Sequence, residues 1–198
     1  MCGRYEFSNE EDIAEVKKII EGMNDKYSLQ VKMGEIFPMD TVAVLRAEQG
    51  KPVLSVMSWG FPKWDGKGVM INARSETIHE KKMFKGLIVQ RRCVVLATGF
   101  YEWQKKVSTS KKDKYFFTSK DNPMLYMAGI YNTFQSEDGQ NESFVILTQD
   151  ANQYMEDIHD RQPVMLFKDE LKSWLTDEKF VEFAMNRGDM ELQRRTVE

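Results

Sequence analysis

The sequence predicts an α+β fold, a single compact domain of mainly antiparallel, barrel-like β-sheet flanked by helices. Three observations carry that expectation. A length of 198 residues supports one well-packed domain and leaves a second cramped. Hydrophobic residues make up 41% of the chain, with 12 Phe, 7 Tyr and 4 Trp, which is enough for a core. Many short β-rich runs follow one another through tight turns, while helical patterns gather at the start and finish.

Each element has its own signal. Residues 1–7 read as extended chain. Ser8 and Glu11 form a capping box, and Ile13, Val16, Ile19, Ile20 and Met23 recur at helical spacing, so the first helix stops before Asn24. Runs 41–46 and 52–58 are β-rich and joined by a polar, glycine-containing connection, a hairpin pattern. Pro62, the glycines of this stretch and Trp64 mark 60–68 as a loop, and a short helical stretch runs to about Leu87. The apolar run 93–98 reads as a buried strand that 100–104 extends, and Lys-rich 105–114 reads as a solvated loop. Strands are expected at 115–119, 124–131 and 143–148, with turns at Asp121-Asn122-Pro123 and Asp138-Gly139. After Asp150 a short helix, a strand at 164–167 and helices at 169–175 and 178–186 complete the chain.

Two cysteines, Cys2 and Cys93, exclude a disulfide framework and suit a reducing interior. No apolar run approaches the roughly 20 residues of a membrane span, and the N-terminus carries no secretory pattern. These features predict a soluble cytoplasmic protein. The net charge of −3 hides an asymmetry: between residues 61 and 120 there are 14 Lys/Arg against 5 Asp/Glu, a local +9, and elsewhere 14 against 26, or −12. A charge run is most simply a solvated face. Four paired-basic clusters in one third of an acidic chain also describe a polyanion-binding surface.

No nucleotide-binding glycine loop, metal-spaced Cys/His cluster or nucleophile elbow is present, and neither a metal nor a cofactor is expected. Of the two histidines, His79 sits among charged residues and reads as an exposed helix residue. His159 lies in an irregular polar segment, where a structural and a chemical role are equally open. Glu102 follows a buried strand between aromatics, where a carboxyl group is raised toward use as a general acid; a surface-facing strand end is the alternative. Asn72 and Arg74 alternate, so on extended chain they share one face that suits an oxyanion or phosphate. Cys2 at position 2 is incidental by default. Loss of Met1 turns it into a 1,2-aminothiol, whose amine and thiol (reference pKa values of about 8 and 8.5) close a five-membered ring on an aldehyde. The second step is intramolecular, where effective molarities reach about 10⁵ M.

Five blocks in order carry a resemblance: Met1-Cys2-Gly3-Arg4, Trp59-Gly60, Asn72-Ala73-Arg74-Ser75-Glu76-Thr77, Gly99-Phe100-Tyr101-Glu102-Trp103 and Ile158-His159-Asp160-Arg161-Gln162-Pro163-Val164. Together they resemble the SRAP family (SOS response-associated peptidase), which includes abasic-site processing proteins. The resemblance covers nearly the whole chain and implies one SRAP-like domain over 1–198. It implies capture of abasic sites in single-stranded DNA through a thiazolidine on Cys2, in the DNA damage response. Asn72 would position the nucleophile and sugar, Glu102 would serve acid–base chemistry in ring opening, and His159 would assist proton transfer. Arg4 and Arg74 would hold phosphates flanking the lesion, Arg161 would bind DNA, and Trp64 would stack on a base. The partner would be abasic single-stranded DNA, met by a monomer free of the membrane and, in a bacterium, associated with the nucleoid. Two other readings stay open: an N-terminal-nucleophile cysteine peptidase or amidohydrolase that removes Met1, and a non-catalytic single-strand-binding module. Where the family carries Asn-x-Ala-Pro, this chain reads Glu35-Ile36-Phe37-Pro38, and where family members continue into an extended tail it stops at Val197-Glu198.

Overall fold

The computed structural model describes residues 2–8, 31–105, 112–136 and 139–197. Apart from Ser8, the first expected helix lies outside these residues, as does most of the Lys-rich segment. In chain order the strands are β1 (Tyr5–Phe7), β2 (Gly34–Ile36), β3 (Thr41–Glu48), β4 (Lys51–Trp59), β5 (Phe61–Pro62), β6 (Val69–Met70) and β7 (Asn72–Arg74). They continue as β8 (Arg92–Ala97), β9 (Gly99–Lys105), β10 (Lys112–Ser119), β11 (Leu125–Ser136), β12 (Gly139–Asp150), β13 (Arg161–Pro163), β14 (Met165–Leu166) and β15 (Leu192–Val197). Helices α1 (Leu87–Gln90), α2 (Leu171–Thr176) and α3 (Glu178–Asn186) flank them.

Five strands close a barrel in the order β12-β4-β3-β8-β11, with β11 pairing back onto β12. All its pairs are antiparallel except β12 with β4. The expected 41–58 hairpin is present, turned by Gln49 and Gly50 at φ of 49° and 74°, the left-handed pair that matches strand twist. Every residue of β8 is buried, because the barrel interior covers one face and packed elements the other. That explains its unbroken apolar run.

Strand β8 then feeds a second sheet, ordered β15-β10-β9-β1-β2. The crossing is made at Gly99, where a Cβ would come within 2.3 Å of Phe116 Cζ and 2.6 Å of the Phe117 carbonyl. Only glycine fits so close an approach. One hydrophobic core joins barrel and second sheet, and Cys2, Tyr5, Ile36 and Phe100 belong to it.

Several expectations are corrected. The segment after Asp150 is a chain of turns, not a helix, held by the Met155 and Glu156 amides donating to the Asn152 carbonyl. The chain does not finish on a helix: β15 follows α3 and pairs with β10. Leu192 is its one buried residue, so the segment carries no periodic apolar signal. Lys112 to Lys114 belong to strand β10 rather than to a solvated loop, because β9 offers a hydrogen-bonding edge. Strands β11 and β12 run to 12 residues each, well past their apolar centres. Part of the local positive charge is internal: Arg92 is buried and donates to carbonyls of Ile88, Val89, Trp174 and Leu175, capping the ends of α1 and α2.

Candidate active site

The second sheet buries Cys2 completely, at 0% exposure. Its thiol donates weakly to the Arg4 carbonyl at 3.8 Å, and that carbonyl also accepts from the Tyr101 amide at 2.9 Å. The start of the chain is therefore sewn to the strand that carries Glu102. Burial pushes the Cys2 thiol well up, and the negative charge of Glu102 pushes it further. The thiol is neutral, so its addition to any electrophile needs a base nearby. Glu102 is itself buried, at 3% exposure, and is the charge that the thiol senses.

Asn72 reaches the same point from the other sheet. Strand β7 runs parallel to β12, with Asn72 opposite Ile146 and Arg74 opposite Thr148. Asn72 Nδ2 donates to the Cys2 carbonyl at 3.0 Å. That bond fixes the amide orientation, because a carbonyl only accepts. The amide oxygen is left buried with no hydrogen-bond donor among the described residues, a costly state unless something completes it.

The Trp59-Gly60 block explains how β7 is aimed. Trp59 is buried against Tyr5, with ring centroids 5.2 Å apart, and its indole donates to the Ile71 carbonyl at 3.0 Å, next to Asn72. Gly60 has φ of 116°, and a Cβ there would lie 2.7 Å from the Val69 side chain. The block is a bracket for Asn72.

Beyond Asn72 the site opens. Strands β5 and β6 pair and project the loop between them, with Trp64 at 96% exposure. A cleft of about 400 Å³ runs from Trp64 past Val69 and Ile71 to Asn72. Arg74 is exposed beside it, and none of the described residues hydrogen-bonds its guanidinium. As expected for extended chain, Asn72 and Arg74 share a face while Ala73 points into the core.

His159 and Arg161 come from the segment packed across β12. His159 Nδ1 accepts from the Arg161 amide at 3.0 Å, which leaves Nε2 to carry the proton of a neutral ring. The same Nδ1 lies 2.8 Å from Asp160 Oδ1, the partner of a protonated ring. The segment is tied to the second sheet by Gln104, whose amide donates to the Asp157 carbonyl at 2.7 Å. Gln104 is two residues along the same strand face from Glu102.

Arg161 turns inward: it is buried, bridges both oxygens of Glu76 at 2.6 and 2.9 Å, and reaches Asp150 at 2.5 Å and the Thr148 carbonyl at 2.8 Å. It ties the His159 segment to the Asn72 segment. Arg4 lies on the outer face of the second sheet, paired with Glu35 and stacked over Phe37. The structure thus bonds Asn72 to Cys2, places the Glu102 charge where the thiol senses it, ties the His159 segment to the Glu102 strand through Gln104, and leaves Arg74 and Trp64 on the open rim. His79 is exposed and bonded to Glu182 at 2.6 Å, apart from all of these.

Three participants were not singled out from sequence. Glu76 orders Arg161, while Glu35 takes Arg4 from 31 residues away and Lys114 from 79. Glu35 was visible in sequence solely as a departure from the family pattern. No group of three His, Cys, Asp or Glu side chains among the described residues is disposed to hold a metal ion.

Relatives match this chain along most of its length. The abasic site processing protein YoaM of Bacillus subtilis is 33% identical over 182 residues, covering 88% of this chain and 79% of its own. The abasic site processing protein YedK of Escherichia coli is 32% identical over 181 residues, covering 90% and 81%. A crystal structure of a Bacteroides thetaiotaomicron protein has the same fold, with a TM-score of 0.82 at 23% identity over 100% of this chain and 92% of that one. The family model described as SOS response associated peptidase matches residues 1–194, so this chain belongs to the SRAP family.

Proposed function

We propose that this chain captures abasic sites in single-stranded DNA by closing a thiazolidine between Cys2, freed of Met1, and the ring-opened sugar aldehyde. The names of its relatives support abasic DNA as the substrate. The observation that carries the reading is Asn72. Its amide is bonded to the Cys2 carbonyl while its oxygen stays buried and unsatisfied, ready to accept from the Cys2 amine or a sugar hydroxyl.

The chemistry follows from the groups at hand. The Cys2 amine attacks the aldehyde carbon and the carbinolamine loses water, leaving an imine. The thiol then adds to the imine carbon: one C–S bond forms, and the thiol proton ends on the ring nitrogen. Because burial and Glu102 keep the thiol protonated, Glu102 carries that proton as base and then acid. His159, with a partner for each protonation state of its ring, serves the water-facing transfers. Trp64 takes an unstacked base and Arg74 a phosphate along the cleft, a sequence-tolerant grip on single strands. Arg161 acts through position, holding the two segments in register rather than touching DNA.

Intact mass after incubation with an abasic oligonucleotide tests this. The expected product has lost Met1 and gained the oligonucleotide minus one water, and Cys2→Ala gives none. A retained Met1 with no adduct, or an adduct that survives Cys2→Ala, overturns it. The N-terminal masses of Cys2→Ser and Glu102→Gln test self-removal of Met1: unchanged processing in both excludes it.

A further inference from the structure

On the outer face of the second sheet, one carboxylate holds two cations at once. Glu35 Oε1 accepts from Arg4 Nη1 at 3.2 Å and from Lys114 Nζ at 2.9 Å. Both cations rest on aromatic rings. Arg4 lies 4.2 Å from the Phe37 centroid and 5.1 Å from that of Trp103, and Lys114 lies 4.0 Å from Tyr101 and 5.8 Å from Trp103. A guanidinium and an ammonium converging over an aromatic floor form an anion site. Here the chain fills the site with its own side chain, at the position where the family pattern has an asparagine.

The occupant fits poorly. Glu35 engages Arg4 through a single oxygen, and Arg4 Nε is buried with no acceptor among the described residues. A phosphate brings more oxygens and the same charge to a guanidinium that has donors to spare. Arg4 is two residues from Cys2, so this site meets a phosphate of the nucleotide at the lesion or beside it.

We infer that Glu35 is a built-in competitor for that phosphate, leaving Arg4 and Lys114 as the strand settles around Cys2. The inference rests on the single-strand reading above and adds selectivity to it. Displacing Glu35 weakens the reversible grip on every strand, intact or abasic. Only an abasic strand then gains the covalent bond, so intact strands are released. Four further groups frame the carboxylate: Arg4 and Lys114, Tyr101, and Glu6, which sits directly across the β1–β2 pair and accepts from the Tyr101 hydroxyl at 2.8 Å. Burial raises the Glu35 carboxyl, yet Lys114 and Arg4 outweigh this and hold it below the usual carboxylate range. Once displaced, Glu35 lies near a phosphate and its affinity for a proton rises. Binding of DNA therefore takes up a proton and tightens as pH falls through that range.

The experiment is fluorescence anisotropy of wild type, Glu35→Gln and Glu35→Asn with an intact labelled oligothymidylate, across salt and pH, beside the abasic adduct assay. Removing the competitor from two half-exposed ion pairs is expected to tighten binding about 3- to 10-fold at low salt. The salt dependence should steepen by about 0.7, the value of one phosphate contact on a single strand. The advantage over wild type should shrink from about pH 6 toward pH 4, as wild-type Glu35 protonates. Equal or weaker binding by both variants overturns the inference whatever the wild type does. A wild type that binds DNA yet forms no adduct overturns the proposed function, and the ratio between variants still decides the role of Glu35.

Discussion

Arg161 and Arg74 lie on strands β13 and β7, either side of the C-terminal half of β12, and their fates are opposite. Arg161 is 8% exposed and spends its Nη1 and Nη2 donors on Glu76, Asp150 and the Thr148 backbone. Arg74 stands in solvent beside the Trp64 cleft, and among the described residues nothing hydrogen-bonds its guanidinium. Both belong to motif blocks, and the family resemblance gives both a DNA-binding role. The contrast teaches that a basic residue in a motif is a ligand contact only where the fold leaves its donors unspent. The same rule removes Arg92 from the basic surface and makes Lys114 conditional on Glu35.

The comparison breaks most visibly in stability. Arg161→Met strands Glu76 and opens the tie between two segments, so it should cost about 3 kcal/mol, the low end for a buried pair because Asp150 and Glu76 face water. Arg74→Met should stay within about 0.5 kcal/mol. Urea unfolding of both variants measures this, and equal losses would erase the distinction.

Binding sharpens it from the other side. Trp64→Ala should lose about 1–3 kcal/mol of affinity for an intact single strand. Arg74→Ala should lower the salt slope by about 0.7. Neither variant should shift the unfolding midpoint, and anisotropy titrations at several salt concentrations read both effects.

A smaller effect concerns acid. The Arg161 hydrogen bonds hold the Glu76 carboxyl below its usual range. Its folded value is depressed, so the stability it contributes is present above the unfolded pKa and lost as pH falls through the folded one. Glu76→Gln should flatten that part of the acid limb, measured as midpoint against pH from about 6 to 3, while Arg74→Gln, which removes only the smaller contribution of the Arg74 charge, leaves most of it in place.

Least in size is a shift at the thiol. Glu102→Gln removes the charge that adds to burial in raising Cys2, so the thiol should ionise at lower pH. Alkylation of the N-terminal peptide by iodoacetamide, followed by mass, should be faster near neutrality than in wild type. A slower reaction would show that Glu102 acts on the thiol more as a base than as a repelling charge, and an unchanged rate that it does not act on the thiol.

Much of the fold was legible because it is written locally. The 41–58 hairpin shows in β-branched runs around a glycine turn, and β8 shows as an apolar run that only a twice-covered strand requires. Strand β15 left no such trace, since its order comes from hydrogen bonds to β10 and not from apolar periodicity. The site divides the same way. Cys2, Asn72 and Glu102 each sit in a short motif whose residue types suit their chemistry. The Glu35–Arg4–Lys114 cluster is built on pairs 31 and 79 residues apart through the registers of β1 with β2 and of β9 with β10, which no local pattern encodes.

The sequence by itself determined the chemical inventory: an aminothiol-capable N-terminus, a buried-strand glutamate, an amide and a guanidinium on one face, and the family they mark. Tertiary structure alone decided which charges are spent. Coulomb and hydrogen-bond energies depend on distance and on the water excluded around each group, and strand pairing sets both. That is why Arg161 became a strut, Arg74 stayed exposed, and Glu35 came to sit between Arg4 and Lys114.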